Sequence, residues 1–335
     1  MARDLLADPF GERSASMVRR DLQLLGARFR FESNSRRLLR LVDAAFAGLP
    51  RHRLSSSIPR LRVKLVVGSG RQPQPRGRRE PPPLDMLCGA GLLGGATDRS
   101  DFVVLSPQER SALVVLSSPM MRFPYHARYE LIEFAVFTLA ARAQRLVSLH
   151  AACVGRGGRG LLLMGPSGAG KSTLALLSLL HGFELVSEDS VFVTRDTLLA
   201  TGAANFLHVG ADSLRWVERS RDVAAIRASP VIRRRSGVRK FEVDLRQGTY
   251  RLAASPLEIG AIVFLSAEKA GRGPLLRPLA KSSMGARLAQ EQAYAANQPQ
   301  WPAFRKRIAR VEAFELRRGA HPLEAVDMLR SLVER

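Results

Sequence analysis

Residues 161–173 read Leu-Leu-Leu-Met-Gly165-Pro166-Ser167-Gly168-Ala169-Gly170-Lys171-Ser172-Thr173, and the organisation of the chain is read outward from this stretch. The four apolar residues predict a short strand buried on both faces. Gly165 to Ser172 fit the pattern G-x-x-x-x-G-K-[ST]. Its glycines let the backbone turn so that successive N–H groups converge on an anion, and residues 171–180, closed by Gly182, predict a helix whose N-terminus adds partial positive charge. Gly165 to Thr173 are therefore expected to cradle the phosphates of ATP, with Lys171 bridging the β- and γ-phosphates and the Ser172 hydroxyl on Mg²⁺.

Upstream, residues 147–154 predict a strand carrying His150, joined by the tight turn Gly155-Arg-Gly-Gly158 to the strand before the loop. Downstream, a strand over 183–186 runs into Glu188-Asp189, and the apolar run 191–193 returns at once, which predicts a mixed sheet rather than a parallel one. As sheet neighbours these strands bring His150, Glu188 and Asp189 to the rim where a γ-phosphate would lie. An aspartate there can take the proton of an attacking hydroxyl, and a second acid can help hold Mg²⁺. Further strands are expected over 261–265 and 311–316, and a last helix from Pro322.

Over residues 147–193 these features resemble the catalytic domain of HPr kinase/phosphorylase and its relatives, which include kinases found beside peptide-modifying gene clusters. Leu149-His150-Ala151, the glycine loop and Gly182-Phe-Glu-Leu-Val186-Ser-Glu188-Asp189 stand where that family has its strand histidine, its loop and an acidic pair. The resemblance, spanning about residues 127–335, implies an α/β fold: a P-loop nucleotide-binding core of the HPr kinase/PEP carboxykinase-like type with a mixed sheet. It also implies Asp189 as general base toward a substrate serine, Lys171 and His150 as catalytic partners, and Ser172 as a metal ligand, with Glu188 the second acid near the metal. ATP and Mg²⁺ are the cofactors it implies, and a protein or peptide with an acceptor serine is the partner. Glu188 replaces a family aspartate, and the family's later Glu-x-Arg-Gly segment has no match in Gly-Ala-Ala-Asn-Phe-Leu-His-Val at 202–209.

The loop alone would equally suit a transporter ATPase or a small-molecule kinase, but no segment resembles the Leu-Ser-Gly-Gly-Gln signature of the former. Three readings stay open: a serine kinase of a protein or peptide, a small-metabolite kinase, and a non-catalytic ATP-gated binding or assembly protein. Arg233-Arg234-Arg235 with Arg239 and Lys240 is either a solvated basic run or a clamp for phosphate or an acidic peptide. Asn205 and His208 are weaker candidates.

With 335 residues, 46% of them hydrophobic, the chain can bury one large core and a smaller appended one. Residues 1–125 are expected to form an N-terminal α+β region without a recognisable motif, and 126–335 the loop domain. The first region has helical spacing around Leu38, Leu39, Leu41 and Val42, strands over 61–67, 102–105 and 112–116, and an exposed Pro- and Arg-rich loop over 68–83. A helix with a continuous apolar stripe is expected over 127–145.

The net charge of +22 rests on 52 basic residues of which only six are lysine, an arginine bias that composition explains without a specific nucleic-acid partner. Such a surface should still attract phosphates and acidic peptides. Cys88 and Cys153 form neither a metal cluster nor a disulfide framework, which fits a cytoplasmic protein. The most apolar window, 131–141, is too short for a membrane span and contains Glu133; Arg19-Arg20 is followed by no signal-like apolar run. A homo-oligomer is admissible, though no sequence feature sets its size.

Overall fold

The computed structural model describes residues 16–68 and 80–335, so most of the loop expected over 68–83 lies outside the described residues. The chain divides into two compact units, one from described residues of 1–21, 30–44 and 62–135, the other from 22–29, 45–61 and 136–335.

The N-terminal part of the chain forms a seven-stranded sheet of β1 (Val18–Leu24), β2 (Ala27–Ser33), β3 (Arg60–Val67), β4 (Asp85–Gly89), β5 (Leu92–Ala96), β6 (Phe102–Ser106) and β7 (Ser111–Leu116), with helix α1 (Arg36–Phe46). The strand order is β1-β2-β3-β7-β6-β5-β4, with β3 and β7 parallel. Alternate residues of β3, Leu61, Val63 and Leu65, are buried while Arg60, Arg62 and Lys64 are exposed, the period-two pattern of a half-buried strand. The helix expected over 127–145 starts earlier and changes geometry. Here α2 (Pro124–His126) leads into a π-helical stretch, Ala127–Glu133, and then α3 (Phe134–Gln144). Arg128 Nη1 and Glu133 Oε1 form a buried ion pair at 3.1 Å across five positions, the repeat of a π turn.

Twelve strands follow: β8 (Val147–His150), β9 (Ala152–Arg156), β10 (Arg159–Met164), β11 (Glu184–Ser187), β12 (Ser190–Val193), β13 (Leu199–Gly202), β14 (Phe206–Val209), β15 (Val231–Arg233), β16 (Arg239–Asp244), β17 (Leu257–Lys269), β18 (Leu276–Pro278) and β19 (Glu312–Arg318). The helices among and after them are α4 (Lys171–Leu180), α5 (Ser220–Arg227), α6 (Lys281–Glu291), α7 (Ala293–Ala296), α8 (Trp301–Ile308) and α9 (Pro322–Val333). Nine strands make one sheet in the order β11-β9-β10-β17-β13-β12-β8, with β19 on β17 and β18 on β19, while β14, β16 and β15 make a small separate sheet. β10 pairs with β17 in parallel and with β9 antiparallel, so the sheet is mixed. One expectation needs correction. Residues 147–154 are not one strand, because the chain breaks at Ala151: β8 pairs with β12, whereas β9 pairs with β10 and β11.

The large sheet is covered on both faces, which is why 161–164 are uniformly apolar. Leu161 and Leu163 pack with Leu174 and Leu177 of α4 and Val326 and Leu329 of α9. Leu162 and Met164 pack on the opposite side with Met284 and Leu288 of α6 and Phe304 and Ile308 of α8. Each of these four is completely buried, worth roughly 1.5–3 kcal/mol apiece relative to exposure. Among the described residues no helix is long and apolar enough to cross a membrane.

Candidate functional site

β9 runs antiparallel to both β10 and β11, so β10 and β11 point the same way and release their C-terminal ends at one edge of the sheet. Gly165 leaves β10 there, and Glu188-Asp189 leave β11. Ala152, at the start of β9, lies opposite Leu163 near the end of β10, which brings Ala151 and His150 to that edge as well. The Ala151 N–H donates to the Asp189 carbonyl at 3.1 Å, and the Ser190 N–H donates to Ser187 Oγ at 3.3 Å, closing the turn that presents the two acids.

The loop has the backbone its glycines predict. Gly165, Gly168 and Gly170 have φ of 146°, 83° and 105°, values that side-chain-bearing residues rarely adopt. Gly170 caps α4 without a side-chain hydrogen bond, so the first N–H groups of the helix point into the loop. Lys171 is buried, and its Nζ donates to the carbonyls of Gly165 at 2.6 Å and Pro166 at 3.2 Å. Burial pulls this amine below the ordinary lysine value against the opposing charges of Asp189, Glu291 and Glu188, while Lys240 pushes it further down. The Thr173 hydroxyl meets Ser213 Oγ at 2.8 Å, tying α4 to the 3₁₀ turn Ala211–Trp216. Pro166, Ser167 and Gly168 form the exposed rim, with Ala169 half-buried.

The two acids differ in environment. Asp189 is about one-third exposed, with Oδ1 3.7 Å from Nε2 of the exposed His150. Glu188 is buried, and its Oε1 accepts from the His208 backbone N–H at 3.1 Å and from His208 Nδ1 at 2.7 Å. Arg234 Nη2 stands 3.8 Å from the same oxygen. Burial alone would disfavour the Glu188 charge, but the His208 hydrogen bond and charge, the Ser172 hydroxyl and Arg234 outweigh it and hold the carboxyl below its usual range. His208 is likewise buried, which lowers its pKa, but hydrogen bonds to Glu188 and to Glu242 at 3.4 Å raise it above the usual histidine value. Glu188 Oε2 is buried without a hydrogen-bond partner.

Of the residues singled out in the sequence, Lys171, Ser172, Glu188, Asp189 and His150 therefore share one sheet edge. His150 reaches it from its own strand, β8, and its backbone N–H and C=O are bracketed by the Gln292 amide at 2.8 and 3.0 Å. The two weaker candidates separate. Asn205 is occupied with backbone, donating to the Ala45 carbonyl at 2.9 Å, whereas His208 grips Glu188. The basic run separates too: Arg233, Arg235 and Arg239 are exposed, but Arg234 and Lys240 turn inward. Burial and the Arg234 charge lower the Lys240 pKa, opposed by Glu188 and Asp189. Glu242, Glu291 and Gln292 had no motif to mark them, whereas Lys240 was part of the basic run read as a candidate clamp.

No family model matches the chain, and no curated protein matches it. Among solved structures it is similar to the Hpr(Ser) kinase/phosphatase from Coxiella burnetii, with 15% identity, coverage of 55% of this chain and 88% of that one, and a TM-score of 0.28. A likeness of that size leaves function to the chemistry of the site itself.

Proposed function

We propose that this chain is an ATP-dependent kinase, a P-loop core of the HPr kinase/PEP carboxykinase-like type that transfers the γ-phosphoryl group to a serine hydroxyl of a protein or peptide. The observation that carries the reading is the one sheet edge at which a glycine loop of left-handed backbone leaves β10 and Glu188-Asp189 leave β11. The loop and lysine suit a triphosphate, and a carboxylate pair suits a cation and a proton.

The residues fit Mg²⁺. Magnesium takes one or two protein oxygens and completes its shell with phosphate and water. Among the described residues no three His, Cys, Asp or Glu cluster as metal ligands, so Glu188, with its buried Oε2 free of hydrogen bonds, and the Ser172 hydroxyl that lowers its pKa would supply the few protein oxygens such an ion needs. Bound there, the ion would neutralise charge on the phosphates.

In this reading Lys171 exchanges its loop carbonyls for phosphate oxygens. Asp189 accepts the proton of the serine hydroxyl as that oxygen bonds to the γ-phosphorus and ADP departs. His150 orients the Asp189 carboxylate, and Arg234 and Lys240 offset negative charge on the transferring group.

The test is incubation with γ-labelled ATP and serine-containing peptides encoded beside the gene, followed by mass spectrometry. Label on a serine is expected. Label on a small metabolite would contradict the acceptor, and ATP binding with no labelled product would favour a nucleotide-gated binding protein.

A further inference from the structure

Glu188 is buried where the glycine loop and β11 leave the sheet, and, like Asp222 and Glu291, it has one buried oxygen with no hydrogen-bond partner. A buried acceptor without a donor is costly, so the way the remaining donors are spent on Glu188 is informative. Here two donors from one residue, the His208 N–H and Nδ1, fall on the same oxygen, Oε1, and Oε2 receives none. The residue donating twice is itself fixed. His208 lies in β14 directly opposite Glu242 of β16, is buried, and has its other ring nitrogen, Nε2, 3.4 Å from Glu242 Oε1.

The protonation pattern follows from these distances. An ionised carboxylate only accepts, so the 2.7 Å contact assigns the proton to Nδ1, with Nδ1–H donating to Glu188. Arg234 Nη2, 3.1 Å from that nitrogen, then acts as a charge beside the pair rather than as a donor to the ring.

We propose that His208 is the positioning residue for Glu188: by clamping Oε1 it fixes the longer glutamate side chain so that Oε2 is presented, beside Ser172, to a divalent cation. The inference rests on the kinase reading above and deepens it, assigning the buried Glu188–His208–Glu242 chain to the geometry of the metal site. Partners that orient a ligating carboxylate commonly govern metal affinity by about 10–100-fold.

The experiment uses the full chain with Mn²⁺ as probe, titrated in the presence of a non-hydrolysable ATP analogue and followed by electron paramagnetic resonance. Two polar variants separate the nitrogens. His208→Asn keeps a donor where Nδ1 stands and loses the reach to Glu242; His208→Gln keeps the reach to Glu242 and loses the Nδ1 donor. The expected result is Mn²⁺ affinity weakened by about 10–100-fold in His208→Gln and within about threefold of wild type in His208→Asn. Analogue affinity in EDTA should be unchanged in both.

Equal Mn²⁺ affinity in all three proteins would overturn the proposal, and so would equal weakening in both variants. Loss of metal-free analogue binding together with Mn²⁺ would also overturn it, showing a general structural role. A wild-type chain that binds neither the analogue nor Mn²⁺ contradicts the kinase reading itself, an outcome distinct from these.

Discussion

Lys171 and Lys240 are two of only six lysines in the chain, and both stand in the field of Glu188 and Asp189. The first is marked by its motif; the second stands in a basic run that the sequence leaves open between solvated charge and phosphate clamp, because its placement depends on a hairpin returning toward the loop from some seventy residues downstream. His208 stayed a weaker candidate for the same reason, since its partners lie 20 and 34 positions away in sequence. The Glu188–His208 pair has a consequence for stability. Glu188, with its pKa below the ordinary 4.5, stabilises the fold above that value, and the contribution is lost as pH falls through the lowered one. His208, raised above 6.5, contributes fully below 6.5 and loses its contribution as pH rises through the raised value. The two titrate as a pair, and their joint contribution is greatest between these limits. Thermal melting across pH should therefore show a high-pH decline in the wild type that is reduced in His208→Asn; parallel profiles would show that His208 does not contribute this term.

The elements show where sequence patterns lose their power. The helix α3 ends with Arg145 in the left-handed region, φ 55°, and Leu146 N–H reaches back to the Ala141 carbonyl at 2.8 Å, a closure usually made with glycine. Arg145 is exposed, so Arg145→Gly should relieve its strain and raise stability by about 0.5–1 kcal/mol after the added freedom of the unfolded glycine. Urea unfolding should give a higher midpoint at unchanged slope; a lower midpoint would mean that Arg145 makes a stabilising contact. The β10 strand, the loop and α4 were legible because burial on both faces, glycine geometry and helical spacing agree over consecutive residues. The break at Ala151 was not, since 147–154 contain neither proline nor glycine and the division follows from which strands pair, with β12 supplied some forty residues later. Nor was the π-helical stretch over Ala127–Glu133, whose apolar spacing is read equally well as α-helix.

At the scale of the molecule, a net charge of +22 sets long-range behaviour rather than fold. Fluorescence anisotropy should show acidic peptides and duplex DNA associating more weakly as salt rises from about 0.05 to about 0.5 M, with no DNA sequence preferred. Salt-resistant, sequence-selective DNA binding would contradict the view that the arginine excess is general surface charge. A serine kinase makes a narrower demand, that the partly exposed Asp189 carboxylate serve chemistry and not nucleotide binding. The most direct measurement is single-turnover transfer from labelled ATP to an accepted serine peptide by wild type and Asp189→Asn, with ATP affinity measured alongside. Transfer by Asp189→Asn should fall by about 100-fold or more while ATP affinity stays within about threefold of wild type. Undiminished transfer by Asp189→Asn would contradict that role for the carboxylate.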